Sequence, residues 1–184
     1  MLAEKTTIIR NTTLEEISIL KEELKRNYHK WQDHYDRQRH DTDGLSIHLA
    51  WSGNFLEFIM DDWSSFPETK KILDRISGNK IVSRCYWHRL LNGQDIKRHL
   101  DANWFITNKK ISHRYQIYLE TDSANELRFD DCFVDAKDFE YTVVDFSLQN
   151  YHSYKNNTDT LWYFLVFDVL EDGVNFQYID KNRV

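Results

Sequence analysis

Proline is almost absent from this chain: Pro67 is the only one in 184 residues, and there are just five glycines. The connections therefore cannot rely on these two residue types, and Asn and Asp must serve many of the turns. Cysteine is also scarce. Cys85 and Cys132 are far apart and lack metal-ligand spacing, so they are expected to be free, buried thiols in a reducing compartment. No apolar run approaches the length of a membrane span. Met1 to Arg10 lacks the continuous apolar region of a signal peptide, so a cytoplasmic location is expected. Basic runs such as Lys97-Arg98 and Lys109-Lys110 are short and the formal net charge is -6, so nucleic-acid binding has no electrostatic support at the level of the whole chain.

What is abundant is aromatic surface. Eleven Phe, ten Tyr and six Trp make up 15% of the chain, a share that suits a packed β architecture. Hydrophobic content of 41% and charged content of 29% are ordinary for a globular protein, and the length fits one domain spanning 1–184.

Thr13-Leu14-Glu15-Glu16 has the form of a helix-starting capping box. Leu14, Ile17, Leu20, Leu24, Tyr28 and Trp31 follow as one helical stripe, read as a face packed on the rest of the domain, with a partner-binding helix as the alternative. His29, His34 and His40 fall in a polar run read as a solvated loop. Leu45 to Trp51 suits a strand. Pro67 opens a second helix and Gly78 ends it. From Lys80 the pattern becomes strand-like: 81–91, 96–101, 112–120, 126–130, 140–146, 151–154 and 160–170, with an edge strand near 174–179. Asn92-Gly93 is a strong turn signal, and 103–110 suits a loop over the site. Helices followed by many short strands predict an α+β, mainly β protein, with 1–79 as support and 80–170 as a β sandwich or barrel.

One tripeptide carries chemistry. His99-Leu100-Asp101 sets an imidazole and a carboxylate two residues apart, and on a strand such residues share a face. His152, 51 residues after Asp101, is the leading third ligand. Two histidines and one carboxylate with open positions suit non-haem Fe(II). Zinc is a possible occupant of the same set, and would point to hydrolysis by a bound water. Strands distant in sequence lie side by side in a jelly roll, so the long gap is natural there.

From Arg89 to Asp168 the chain resembles the aspartyl/asparaginyl β-hydroxylase-like branch of the Fe(II)/2-oxoglutarate oxygenases, particularly its small phage and bacterial members. Four blocks carry the resemblance in order: Leu91 to Asp101, with its glycine turn and His-x-Asp; His113 to Leu119, with its arginine; Asp138 to His152; and Asn156 through Asp168. The resemblance implies a double-stranded β-helix (jelly roll), with Fe(II) held by His99, Asp101 and His152. It implies consumption of 2-oxoglutarate and O2 as a C–H bond is hydroxylated, with an amino acid or a peptide or protein side chain as substrate. It also implies that Arg114 contacts 2-oxoglutarate, that Gln116 sits where relatives often have His, and that His88 is a polar position near the cosubstrate. In one place the chain departs from the pattern. The family usually carries an arginine near the start of the closing strand, where this chain has Trp162, and no Arg lies between Arg128 and Arg183. Three explanations compete: Arg114, helped by His88, holds 2-oxoglutarate alone; the cosubstrate or its pose differs; or activity is lost and a binding pocket remains. Trp162 as a plain core residue is compatible with each.

Overall fold

The computed structural model describes residues 7–33, 45–52, 58–100, 111–130, 132–140, 142–145, 151–174 and 177–180. Among the described residues there are two α-helices, α1 (Leu14–Arg26) and α2 (Pro67–Ser77). The strands are β1 (Thr7–Asn11), β2 (Gln32–Asp33), β3 (Leu45–Ser52), β4 (Phe58–Asp61), β5 (Val82–Leu90), β6 (Asp95–His99), β7 (Ile111–Leu119), β8 (Glu126–Phe129), β9 (Cys132–Asp135), β10 (Thr142–Asp145), β11 (His152–Lys155), β12 (Trp162–Leu170) and β13 (Gln177–Asp180).

Helix α1 begins as its sequence dictates. The Thr13 hydroxyl accepts from the Glu16 N–H at 3.1 Å, and the Thr13 N–H donates to the Glu16 carboxylate at 2.9 Å. Ile17, Leu20 and Leu24 are buried, but Leu14 at the head of the expected stripe is 77% exposed. The stripe therefore starts one turn later. Helix α2 has Pro67 in its first turn, and Gly78 ends it with φ of 69°. The two helices are joined through Glu23, a buried carboxylate of α1. It accepts from the Glu68 N–H (2.9 Å) and the Thr69 N–H (2.7 Å), the amides that the first turn of α2 leaves without helical partners. A carboxylate at that end also opposes the positive pole of the helix.

The larger sheet runs β1-β10-β7-β12-β5-β3-β4-β13, with β2 added to β3. All its pairings are antiparallel except β13 with β4. The smaller sheet runs β6-β11-β8-β9. From β5 to β12 the chain passes back and forth between the two sheets, which is the path of a jelly roll. The central strand β12 is buried along its whole length. Its Tyr163, Leu165, Phe167 and Val169 join Cys85, Trp87, Ile117 and Leu119 in a core that includes Leu20, Leu24, Leu73 and Ile76 of the helices. Its Trp162, Phe164 and Val166 turn the other way, onto Ile96, Leu127, Phe129 and Tyr154 of the smaller sheet.

Strands β1, β2, β4 and β9 are not among those expected from the sequence; β2 falls in the run read as a loop. β9 pairs with β8 through Phe129 and Cys132, after Asp130 turns the chain at φ of 52°. Both cysteines are free; Cys85 is buried, whereas Cys132 on β9 is only partly so. His29 lies exposed in a short 3-10 turn, and the edge strand expected near 174–179 is β13. His34, His40 and all of 101–110, with the whole expected loop 103–110, lie outside the described residues.

At one end of the sandwich, Asn156 ties two turns together. Its side-chain N–H groups donate to the carbonyls of Leu90 (2.9 Å) and Thr160 (2.8 Å), and its side-chain oxygen accepts from the Thr158 N–H (3.0 Å). Its backbone exchanges bonds with Gly93 and Gln94, in the turn between β5 and β6. Gly93 adopts φ of 74°, a conformation that favours glycine. Replacing Asn156 with Ala strands two carbonyls and an amide, and urea denaturation should read a loss of about 3 kcal/mol. Glu23→Ala uncaps α2 and should cost about 1–3 kcal/mol in the same assay.

Candidate metal centre and its charged rim

His99 and His152 stand opposite each other on adjacent strands of the smaller sheet. The register between β6 and β11 pairs Asp95 with Lys155, Ile96 with Tyr154, and then His99 with His152. Three steps on β6 match two on β11, so β6 carries a bulge at Lys97-Arg98. Strict alternation would send Ile96 and His99 to opposite faces. The bulge restores His99 to the inner face that Ile96 shares, which is a common use of bulges beside functional sites. The two imidazole rings lie 4.2 Å apart between centroids, with planes at 59°.

His152 is 2% exposed. The Nδ1 of His99 lies 2.7 Å from the Lys97 carbonyl oxygen. A carbonyl only accepts, so this nitrogen donates, and in the neutral ring the lone pair is then on Nε2. Fixing one ring nitrogen in this way orients the other for a metal. Asp101, the third expected ligand, lies outside the described residues. Among the described residues no group of three His, Cys, Asp or Glu gathers at a point. Two converging imidazoles fit a divalent cation of the zinc or iron kind once a third donor joins them.

The wall facing these histidines is built from β5, β12 and β7, whose registers align the inward residues in layers. Leu90 and Trp162 form the floor. Above them lie His88, Phe164 and Tyr118, then Tyr86, Val166 and Gln116, and last Arg84, Asp168 and Arg114. Tyr154 of the smaller sheet stacks on Phe164 at 5.2 Å, level with the second layer. His152 lies two residues farther from the floor than Tyr154, which sets it by register at the level of the third layer, with the charged layer beyond.

Each expected cosubstrate residue has a definite place. His88 is buried and stacks on Phe164 at 5.0 Å, with planes at 17°. Gln116 is buried at the level of His152, and its side-chain oxygen has no hydrogen-bond partner among the described residues. Arg114 is paired: its Nε and Nη2 donate to the two oxygens of Asp168 at 2.6 and 2.7 Å. Both side chains are nearly dry, at 3% and 0% exposure. Removing one member of such a pair typically costs about 3–5 kcal/mol. Trp162 is fully buried against Tyr118, Tyr154 and Phe164, with ring centroids 6.0 to 6.2 Å away. It is a core residue, and its indole N–H has no partner among the described residues. Burial pushes the Tyr118 phenol well above its usual range, only partly offset by the Tyr154 hydroxyl.

Sequence reasoning missed Arg84 and Tyr86. The Arg84 guanidinium lies 5.1 Å from the centre of the Tyr86 ring, on the same wall as His88. Stepping back from His88 by twos would have found both. At the rim, Arg98 covers the ring of Tyr151 at 4.0 Å, so the neighbours of both histidines also touch. An amide and two guanidinium groups on one wall are a donor set that suits a carboxylate-bearing ligand.

No family model matches the chain, and no curated protein matches it in sequence. Solved structures do match in fold. A 2OG-Fe(II) oxygenase family oxidoreductase from Burkholderia pseudomallei aligns with a TM-score of 0.67 at 16% identity, covering 93% of this chain and 88% of that one. A Pseudomonas putida prolyl-4-hydroxylase aligns at 0.61 and 12% identity, covering 92% and 94%. A prolyl hydroxylase from Trichoplax adhaerens, solved with a hypoxia inducible factor oxygen degradation domain peptide fragment, aligns at 0.63 and 12% identity, covering 92% and 85%. The chain thus has the jelly-roll fold of the 2OG-Fe(II) oxygenases.

Proposed function

We propose that the protein is a non-haem Fe(II)/2-oxoglutarate-dependent hydroxylase, with His99, Asp101 and His152 as the iron ligands. The observation that carries this reading is the bulge in β6, which sets His99 against His152 on the inner face of the jelly roll. The likeness in fold to solved 2OG-Fe(II) oxygenases supports it. Among the branches of that fold, the ordered blocks from Leu91 to Asp168 favour the aspartyl/asparaginyl β-hydroxylase-like one. The substrate on this reading is an amino acid or a peptide side chain.

With Fe(II) and 2-oxoglutarate bound, the centre would use O2 to convert a C–H bond to C–OH, releasing succinate and CO2. The remaining work belongs to this chain. The Lys97 carbonyl holds the His99 ring so that Nε2 serves as the ligand atom. Asp101 supplies a negative charge that offsets part of the charge on the metal. Gln116 and Arg114, on the wall at and just outside the level of His152, present donors to a metal-bound carboxylate. Phe164, Tyr118 and Tyr154 form an aromatic layer behind the centre that keeps water out.

Under anaerobic conditions, adding Fe(II) and 2-oxoglutarate to the protein should produce a weak visible charge-transfer band, and His152→Ala should abolish it. In air, succinate should form with at least one member of a panel of amino acids and peptides. Absence of both signals in the wild type would sink the reading. Metal analysis after anaerobic purification separates it from a zinc or manganese centre on the same ligands. The buried ion pair gives a second check: Asp168→Asn should lower unfolding stability by about 3–5 kcal/mol.

A further inference from the structure

The histidine pair lies on the last rung of its sheet. His99 is the final residue of β6, His152 the first of β11 and Phe129 the final residue of β8, and register pairs His152 with both of the others. Both ladders that hold His152 therefore stop at that rung. Strand ends open more readily than strand middles. A metal ligand needs the reverse, because ordering a ring at the moment of binding subtracts from affinity.

One residue carries the support past this rung. Asp130 follows Phe129 and is the first of the two residues between Phe129 and Cys132, which pair across the turn from β8 to β9. Its N–H donates to the Tyr151 carbonyl at 2.6 Å, and one of its carboxylate oxygens accepts from the Tyr151 N–H at 3.0 Å. Tyr151 is thus held by both of its backbone groups, directly before His152. In a regular antiparallel pair both bonds would run between backbone groups. Here φ of 52° turns the chain at Asp130, and its side chain supplies the acceptor. A carboxylate makes a stronger acceptor than a neutral carbonyl. The turn alone would accept Gly, Asn or Asp at this φ. Only the last two also offer an oxygen to the Tyr151 N–H.

We infer that Asp130 is a positioning residue for the metal centre: by gripping Tyr151 it fixes the start of β11, and with it the His152 imidazole opposite His99. The assignment rests on the reading of His152 as a metal ligand and adds a residue from outside the ligand set. His152 is then braced from both flanks, by β6 on one side and by the turn after β8 on the other. The ring of Tyr151 strengthens the junction, since Arg98, the residue before His99, covers it at 4.0 Å.

The test is a titration of the full chain with Co(II), whose visible bands report the geometry of its ligands. Wild type should bind it and His152→Ala should not. Asp130→Gly keeps the turn but removes the acceptor, and it should bind Co(II) about 10-fold more weakly, with shifted bands. Asp130→Asn keeps the acceptor oxygen, and it should stay within about 2- to 3-fold of wild type with the same bands. Wild-type affinity and bands in Asp130→Gly overturn the assignment. So does an Asp130→Asn that binds as weakly as Asp130→Gly, because the loss then follows the charge and not the grip. A second measurement needs no variant. Coupling is reciprocal, so a grip that strengthens metal binding is itself strengthened by the metal. In wild type, hydrogen exchange at the Tyr151 amide should slow about 10-fold when Zn(II) is added, and more than at Lys155, the other end of β11. Equal slowing at the two ends overturns the assignment. If wild type does not bind Co(II), or His152→Ala binds it as tightly, the metal reading of His152 fails and the role of Asp130 falls with it. If wild type binds through His152 and Asp130→Gly matches it, only the role of Asp130 fails.

Discussion

Strand β12 is covered on both faces, and this constraint shapes the rest of the protein. Any polar group on it must be satisfied without water. Six of its nine side chains carry no polar atom, Tyr163 accepts from the Tyr28 hydroxyl, and the Trp162 indole N–H is the exception, with no partner among the described residues. The ninth, Asp168, meets it through Arg114, a partner 54 residues away in sequence. The same strand divides the protein into two cores of different character. The helix-side core is built mainly from apolar side chains, including the aliphatic stripes of α1 and α2. The core between the sheets is aromatic, and polar side chains from His88 to Arg84 run along its wall. A single fully buried strand thus separates a structural interior from a chemical one.

Much of this was legible in the sequence where the signal was local. The capping box at Thr13, the first-turn proline of α2 and the glycine at its end are short-range chemistry, and the helices lie where these residues put them. The long strands β5, β7 and β12 announced themselves through apolar and aromatic runs. The short strands β1, β2, β4 and β9 did not. A short strand owes its existence to the partner beside it, and two to five residues carry too little pattern of their own. The jelly roll itself and the likeness to oxygenases were readable because several weak blocks occurred in a fixed order.

The site was legible in part. His99 and His152 were found from residue type and separation, and they do face each other. The reason they face each other was not visible. Nothing in Lys97-Arg98 marks a bulge, and without one the alternation of β6 would have placed His99 on the face opposite Ile96. Arg84 was missed for a related reason. Its meaning depends on lying across β12 from Arg114, and only the register of two antiparallel pairings reveals that. Trp162 marks the opposite case. Its identity was plain, but whether it stood in a pocket or a core was decided by its neighbours Tyr118, Tyr154 and Phe164.

The turn knotted by Asn156 has a mechanical consequence. The strands that end in His99 and begin at His152 both spring from that knot and are laddered to each other along their length. They form the two tines of one fork. The spacing between the tines is set by their own ladder and by that knot, not by the wall across the sandwich. Grip on a metal and grip on whatever spans from metal to wall are in this sense separate properties, governed by different parts of the molecule.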